Sequence, residues 1–162
     1  EELLKVAETV AKDVMALKNA PIADPFDGPA ILSGRASGVF FHEIFGHRIE
    51  GHRQKGESEG NTFTKRVNQE ILPPFISVFD DPTVPKFNTS DLNGFYQFDE
   101  EGVPAQKVNL VEAGILKNFL MSRSPIQGFG TSNGHGRASP GLSPVSRQGN
   151  LFIQSKQTVS NK

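Results

Sequence analysis

Hydrophobic positions near the start of the chain recur with a helical period. Between residues 2 and 18, apolar residues lie three or four positions apart and charged residues separate them. This pattern predicts an amphipathic helix that packs one face on a core. Residues 19–30 contain three prolines, one glycine and two aspartates, which predicts a turn. The apolar run from Pro29 to Leu32 then suits a short strand.

A second helical pattern follows. Its apolar positions are Val39, Phe40, Phe41, Ile44, Phe45 and Ile49. They predict a helix from Ser37 to about Gly51, with Ser33 or Ser37 available to cap its first turn. The charged and polar residues 52–69 predict a loop, in which Gly56 and Gly60 permit hinge-like motion.

The chain after Gln69 changes to short apolar runs broken by turn residues, a pattern typical of β-structure. Residues Glu112 to Ile115 join two such runs and predict a tight hairpin, with Gly114 at a positive φ. Residues 127–149 are rich in glycine, serine and proline, which predicts a long loop.

Composition narrows the possible functions. A length of 162 residues suits one domain, and a net charge of −1 offers no basic surface for nucleic acid. The chain has no cysteine, so any metal bound within it rests on nitrogen and oxygen ligands. The apolar runs are far shorter than the roughly twenty residues that cross a bilayer, and the first residues lack a signal-peptide pattern. We therefore expect a cytoplasmic protein without membrane contact.

The sequence His42-Glu43-Ile44-Phe45-Gly46-His47 is the main candidate for chemistry. It is one residue longer than the H-E-x-x-H motif of many zinc peptidases. On a regular helix of about 3.6 residues per turn, positions five apart point roughly 140° away from each other. The two imidazoles can meet one ion only if the helix is distorted. A π-type turn at the permissive Gly46 would bring them to one face.

This motif predicts a zinc site with His42 and His47 as ligands and Glu43 as the general base. Zinc lowers the pKa of bound water and polarises a carbonyl, and the glutamate transfers the proton. An isolated histidine pair of this spacing is often structural or exposed to solvent. The apolar neighbours Phe40 and Phe41 favour the metal site, because buried polar groups need partners.

The third ligand is open. His52 repeats the five-residue step after His47, and His135 lies in the glycine-rich segment; either histidine is a candidate, and an exposed loop histidine is the alternative for both. Glu50 is a candidate to hold the free ring nitrogen of one imidazole, or else an ordinary acid at a helix end.

Two further groups are candidates for substrate contacts. Asp99, Glu100 and Glu101 form an acidic turn that either lines a substrate groove or is simply solvated. Arg137 offers a bidentate fork for a peptide carboxylate, although a surface position is the commoner outcome for an arginine.

The segment GRASGVFFHEIFGHRIEG resembles the signature helix of the TldD/PmbA proteins, also known as proposed modulators of DNA gyrase. FISVFDDPTVP, YQFDEEGVPAQKVNLVEAGILKNFLMSR, GTSNGHGRAS and PVSRQGNLFI follow in the order of the corresponding family segments. The likeness covers residues 26–155.

The resemblance implies a zinc metallopeptidase that cuts unfolded or extended peptides, in which two histidines and a downstream cysteine hold the metal. It also implies an α+β fold, in which mainly antiparallel sheet packs with an N-terminal helix and a distorted metal-motif helix. Because the chain lacks cysteine, the third zinc ligand is expected outside it. Residues 1–162 are then a fragment of the metallopeptidase region, without the N-terminal domain and the C-terminal part of the family.

The resemblance further implies an oligomer, either of identical chains or with a TldE-like partner. The rival hypothesis is a non-catalytic, TldE-like scaffold or pairing subunit, which has no need for Glu43 beside His42. Binding to DNA or gyrase has no support in a near-neutral chain without a basic stripe.

Overall fold

The computed structural model describes residues 2–56 and 59–160, which divide into two compact units at Leu32. The first unit contains helix α1 (Glu2–Asn19) and an irregular segment over residues 20–32. None of the described residues of α1 is buried, although the amphipathic pattern predicted core packing. The strand expected at Pro29 to Leu32 is absent. Those four residues are exposed, and none of them lies in a strand.

The second unit begins with helix α2 (Gly34–Ile44). Ser33 caps it, since its hydroxyl accepts a hydrogen bond from the backbone N–H of Ala36 at 3.4 Å. The helix was predicted to continue to about Gly51, but it ends at Ile44 and is followed by 3₁₀ turns. These turns span Gly46–Ile49, Gly51–Gln54 and Glu59–Phe63.

The rest of the unit is mainly β, as predicted. Its strands, within the described residues, are β1 (Ile76–Asp80), β2 (Lys86–Phe87), β3 (Ser90–Asp91), β4 (Val108–Glu112), β5 (Ile115–Leu116), β6 (Gly136–Arg137), β7 (Val145–Ser146) and β8 (Leu151–Ser155). The main sheet has the order β5-β4-β1-β8, and every neighbouring pair is antiparallel. β2–β3 and β6–β7 form two small ribbons. The fold class is therefore α+β.

The predicted hairpin joins β4 and β5. Gly114 has a φ of +83° and Ala113 a φ of +48°, as a tight turn between antiparallel strands requires. A side chain at Gly114 would lie 2.3 Å from the carbonyl oxygen of Leu72, so glycine is needed there for space as well as for conformation.

The core lies between the main sheet and the residues that follow α2. Val78, Leu110 and Leu116 come from the sheet, and Phe45 and Ile49 come from the turn after the helix. Phe119, Leu120 and Met121 complete it. The backbone N–H of Leu120 donates to the carbonyl of Ile49 at 2.9 Å, and the N–H of Gly51 donates to the carbonyl of Leu120 at 2.8 Å. The segment after α2 is thus fixed to the core.

Among the described residues, no helix combines the length and the apolar character needed to cross a membrane.

Candidate metal centre

The metal motif lies across the end of α2. The backbone N–H of Phe45 still donates to Phe41 at 3.1 Å, as in an α-helix, but the N–H of Arg48 donates to Phe45 at 2.9 Å, which is a 3₁₀ bond. The distortion expected near Gly46 is present, but as a break into a tighter turn and not as the predicted π-type turn. Phe45 and Ile49 are 4% and 0% exposed, and after the break the backbone of Ile49 and Gly51 bonds to Leu120.

The break brings the two histidines together. The ring centroids of His42 and His47 lie 4.6 Å apart, with the ring planes at 73°. One ligand atom from each of His42, Glu43 and His47 lies within 4.8 Å of the other two. The side chains of His42 and Glu43 are 50% and 62% exposed, while that of His47 is 29% exposed. The site is therefore open to solvent on one side.

The carboxylate of Glu43 faces both imidazoles. Its Oε1 is 3.9 Å from Nε2 of His42, and its Oε2 is 3.9 Å from Nε2 of His47. Both distances are longer than a hydrogen bond, so the three groups converge without bonding one another.

Glu50 supports His47 from behind. Oε1 of Glu50 lies 3.0 Å from Nδ1 of His47, and the Glu50 side chain is 1% exposed. Arg53 and Arg147 approach the same carboxylate at 2.7 and 3.3 Å and balance its charge. When His47 carries its proton on Nδ1, it donates to Glu50 and leaves the Nε2 lone pair free for a metal. The structure favours the interpretation of Glu50 as a carboxylate that holds an imidazole over that of an ordinary acid at a helix end.

Gln148 packs directly on Gly46. A Cβ atom at Gly46 would lie 2.0 Å from Oε1 of Gln148, so the motif glycine makes room for this amide. The Nε2 and Oε1 atoms of Gln148 are buried and have no hydrogen-bond partner in the described part of the chain. Sequence reasoning overlooked Arg147 and Gln148. They belong to the segment PVSRQGNLFI, whose pattern carries no local sign that it contacts a turn about one hundred residues earlier.

The other candidate ligands lie elsewhere. His52 is not part of the converging group, and its Nδ1 is buried without a hydrogen-bond partner among the described residues. Burial lowers the pKa of His52, against the raising effect of the nearby Glu50 carboxylate. His135, expected in an exposed loop unless it reached the site, is fully buried. Its Nε2 lies 3.1 Å from Oδ1 of the equally buried Asp80.

The acidic turn is not simply solvated. Asp99 is 5% exposed, and its carboxylate accepts hydrogen bonds from the backbone N–H groups of Glu101, Val103 and Gly136 at 2.9 Å each. It therefore organises the turn and joins it to β6. Arg137 pairs with Glu100, and its guanidinium lies 4.2 Å from the ring centroid of Tyr96. Arg137 therefore has two partners within the fold, the carboxylate of Glu100 and the ring of Tyr96.

The residues present fit a metal ion of borderline character. Two imidazoles and a carboxylate converge, one imidazole is held by a buried acid, and half-exposed side chains leave access for water. Nitrogen and oxygen donors in this arrangement suit zinc and its neighbours in the transition series.

Comparison with known proteins shows the family of the chain. The sequence profile described as the PmbA/TldA metallopeptidase C-terminal domain matches residues 26–162. The chain belongs to the PmbA/TldD metallopeptidase family. A metalloprotease of Archaeoglobus fulgidus is 34% identical over 94% of this chain, and a Haemophilus influenzae metalloprotease described as a TldD homolog is 28% identical over 80% of it.

Solved structures of the family share the fold. TldE from Thermococcus kodakarensis has a TM-score of 0.58 at 23% identity and covers 74% of this chain. A proposed modulator of a DNA gyrase from Thermotoga maritima has a TM-score of 0.55 at 25% identity and covers 71%. The present chain spans 33% of the Archaeoglobus protein, 26% of the Haemophilus protein, and 26% and 24% of the two solved chains.

Proposed function

We propose that this chain carries the catalytic centre of a zinc-dependent peptidase that hydrolyses peptide bonds in unfolded or extended peptides. The observation that carries the proposal is the convergence of His42, Glu43 and His47 within 4.8 Å at the broken end of α2. Membership of a metallopeptidase family supports the same chemistry.

In this proposal His42 and His47 hold the zinc ion through Nε2. When bound, zinc supplies Lewis-acid activation of water and of the scissile carbonyl. The third protein ligand is expected from outside residues 1–162, as the family resemblance implies.

Glu43 is the proton carrier. Its exposed carboxylate lies 3.9 Å from both Nε2 atoms, so it can accept a proton from a water that attacks between them and deliver that proton to the leaving amine. Glu50 is a positioning residue: by accepting from Nδ1 of His47 it fixes the ring orientation and the tautomer.

The proposed partners are an extended peptide substrate and a second subunit, either an identical chain or a TldE-like one, and the proposed location is the cytoplasm. The likeness to the TldE structure concerns the fold. A non-catalytic pairing subunit would share that fold. The experiment must therefore separate the two functions at Glu43.

The test is zinc content by elemental analysis, together with cleavage of an unstructured peptide, for the full-length protein and four variants. His42→Ala and His47→Ala should lose both zinc and cleavage. Glu43→Gln should keep zinc and lose cleavage by about two orders of magnitude or more. Lys86→Ala, at an exposed residue of β2, should change neither. Retention of zinc in the histidine variants, or cleavage by Glu43→Gln at the wild-type rate, would overturn the proposal.

A further inference from the structure

A cleft of about 700 Å³ opens beside the metal centre, with His42 in its wall. Its volume lies in the range of pockets that hold small ligands or a few residues of a peptide. The cleft lies within the second unit and extends from α2 to β8. A molecule bound there is therefore adjacent to one of the two imidazoles.

On the α2 side, two of the five residues that line the cleft are glycines. Gly34, Gly38 and His42 are four residues apart, so they share one face of the helix. A Cβ atom built on Gly34 or Gly38 would meet no other atom within 4 Å. The two glycines leave open space in front of the helix, and this space leads along the helix face to His42.

The opposite wall is aromatic and well supported. The ring of Phe152 stacks on Phe79 at 4.9 Å with an interplanar angle of 12°, and Phe87 packs edge-on against it at 5.9 Å. Phe41 borders the cleft from α2. Rings held in this way offer a preformed apolar surface, and such a surface favours a large apolar side chain.

The described residues that line the cleft carry no acidic or basic side chain of the Asp, Glu, Lys or Arg type. A charged side chain that enters the cleft would lose hydrating water without gaining an opposite charge. A large apolar side chain has no such hydration to lose.

The lining also carries neutral polar side chains, those of Ser37, His42, Gln148 and Asn150. Gln148 lines the cleft, and both polar atoms of its amide are buried without a partner among the described residues. A primary amide carries a donor and an acceptor side by side, which is the complement of a backbone peptide group. Buried polar groups are normally paired. The amide packs on Gly46 in this structure, so it would reach a ligand in the cleft by rotating about its side-chain bonds.

We propose that this cleft is the specificity pocket of the peptidase: it takes an aromatic or large aliphatic side chain next to the scissile bond, while Gln148 pairs with the neighbouring peptide group. The inference rests on the proposed function, because it assumes that the ligand is a peptide. It adds the residue class that the substrate must carry and the residues that select it.

Binding tests the inference independently of cleavage. The affinity of the zinc-loaded, full-length Glu43→Gln variant for labelled peptides is measured by fluorescence anisotropy. The five peptides share one sequence except at a single position, which carries Phe, Leu, Ala, Glu or Lys. We expect the Phe and Leu peptides to bind at least about tenfold more tightly than the other three peptides. Equal affinity for all five peptides would overturn the inference, even if the wild-type protein cleaves every one.

Filling the cleft gives a second measurement. Gly38→Leu places a side chain in open space and should remove the preference for Phe, with about a tenfold loss for that peptide and no loss for the Ala peptide. Val39→Leu is the matched control, because Val39 is 63% exposed on the same helix and does not line the cleft. An equal loss for all peptides in Gly38→Leu, or the same loss in the control, would contradict the assignment.

Gln148 is tested by Gln148→Leu, which keeps the size of the side chain and removes both polar atoms. We expect weaker binding of all five peptides with the preference for Phe retained, because the amide recognises the backbone and not the side chain. Unchanged affinity would exclude Gln148 from recognition.

Discussion

Nδ1 of His47 lies 3.0 Å from Oε1 of Glu50, a carboxylate that is 1% exposed and is also approached by two arginines. This contact orients the imidazole whose Nε2 faces Glu43. In metal sites, partners of this type are typically worth a factor of about 10 to 100 in affinity.

We therefore expect Glu50→Gln to weaken zinc binding roughly 10- to 100-fold while leaving the ligands in place. The amide can still accept from Nδ1 but no longer carries charge, and the half-exposed Arg53 and Arg147 can turn to solvent. Competition with a chromophoric chelator measures the affinity. Glu112→Gln, at an exposed glutamate of β4, is the control and should bind zinc as the wild type does.

The glycines of α2 and of the β4–β5 turn should respond oppositely to alanine. Gly38→Ala adds a methyl group in open space within a helix, so we expect the free energy of unfolding to rise by up to about 1 kcal/mol. Gly114→Ala forces a positive φ on alanine and places its Cβ 2.3 Å from the Leu72 carbonyl oxygen, so we expect a decrease of about 1–3 kcal/mol. Urea unfolding of both variants checks the signs. A decrease for Gly38→Ala would mean that the space beside α2 is filled.

The buried pair of Asp80 and His135 should be costly to break. The backbone N–H of Gly149 also lies 3.1 Å from both carboxylate oxygens of Asp80 and shares one bifurcated hydrogen bond between them, so Asp80→Ala leaves this N–H and Nε2 of His135 without their partner. We expect a loss of about 3–5 kcal/mol in the free energy of unfolding. Asp91→Ala is the control: its ion pair with Lys86 is exposed and should be worth at most about 1 kcal/mol. Similar losses in both variants would contradict the role of burial.

His52 should make the fold less stable in acid. Burial lowers its pKa in the folded state, and Arg53 and Arg147 lower it further against the opposing charge of Glu50. The unfolded chain then binds more protons, so stability is retained above the ordinary value of 6.5 and falls as the pH drops below it. Urea unfolding at pH 7.5 and pH 5.5 should give a smaller difference for His52→Gln than for the wild type. An equal difference would exclude His52 as a contributor.

Local signals predicted the local structure. Ser33 precedes an apolar helical pattern and caps α2, and the turn at Ala113 and Gly114 forms where the sequence places a glycine between two apolar runs. The meeting of His42 and His47 followed from the motif and from the need for a distorted turn at Gly46. The type of distortion did not, because the segment after α2 is held by residues far along the chain, such as Leu120, which bonds to the backbone of Ile49 and Gly51, and Gln148, which packs on Gly46.

The errors have the same origin. His135 lies in a segment rich in glycine and serine, and its burial depends on Asp80, which is 55 residues earlier. Asp99 looked like part of a solvated turn, yet its carboxylate binds the N–H of Gly136 from another strand. Such long-range partners leave no periodic trace in a single sequence.

The early end of α2 places His42 and His47 on stretches that are anchored differently. No residue of α2 is buried, whereas Gly46, Ile49 and Glu50 beyond it are. A metal ion bound by both imidazoles would connect the exposed helix α2 to the buried residues that follow it. Metal binding should therefore slow amide hydrogen exchange along α2, so that exchange in this helix measures whether the protein has bound metal.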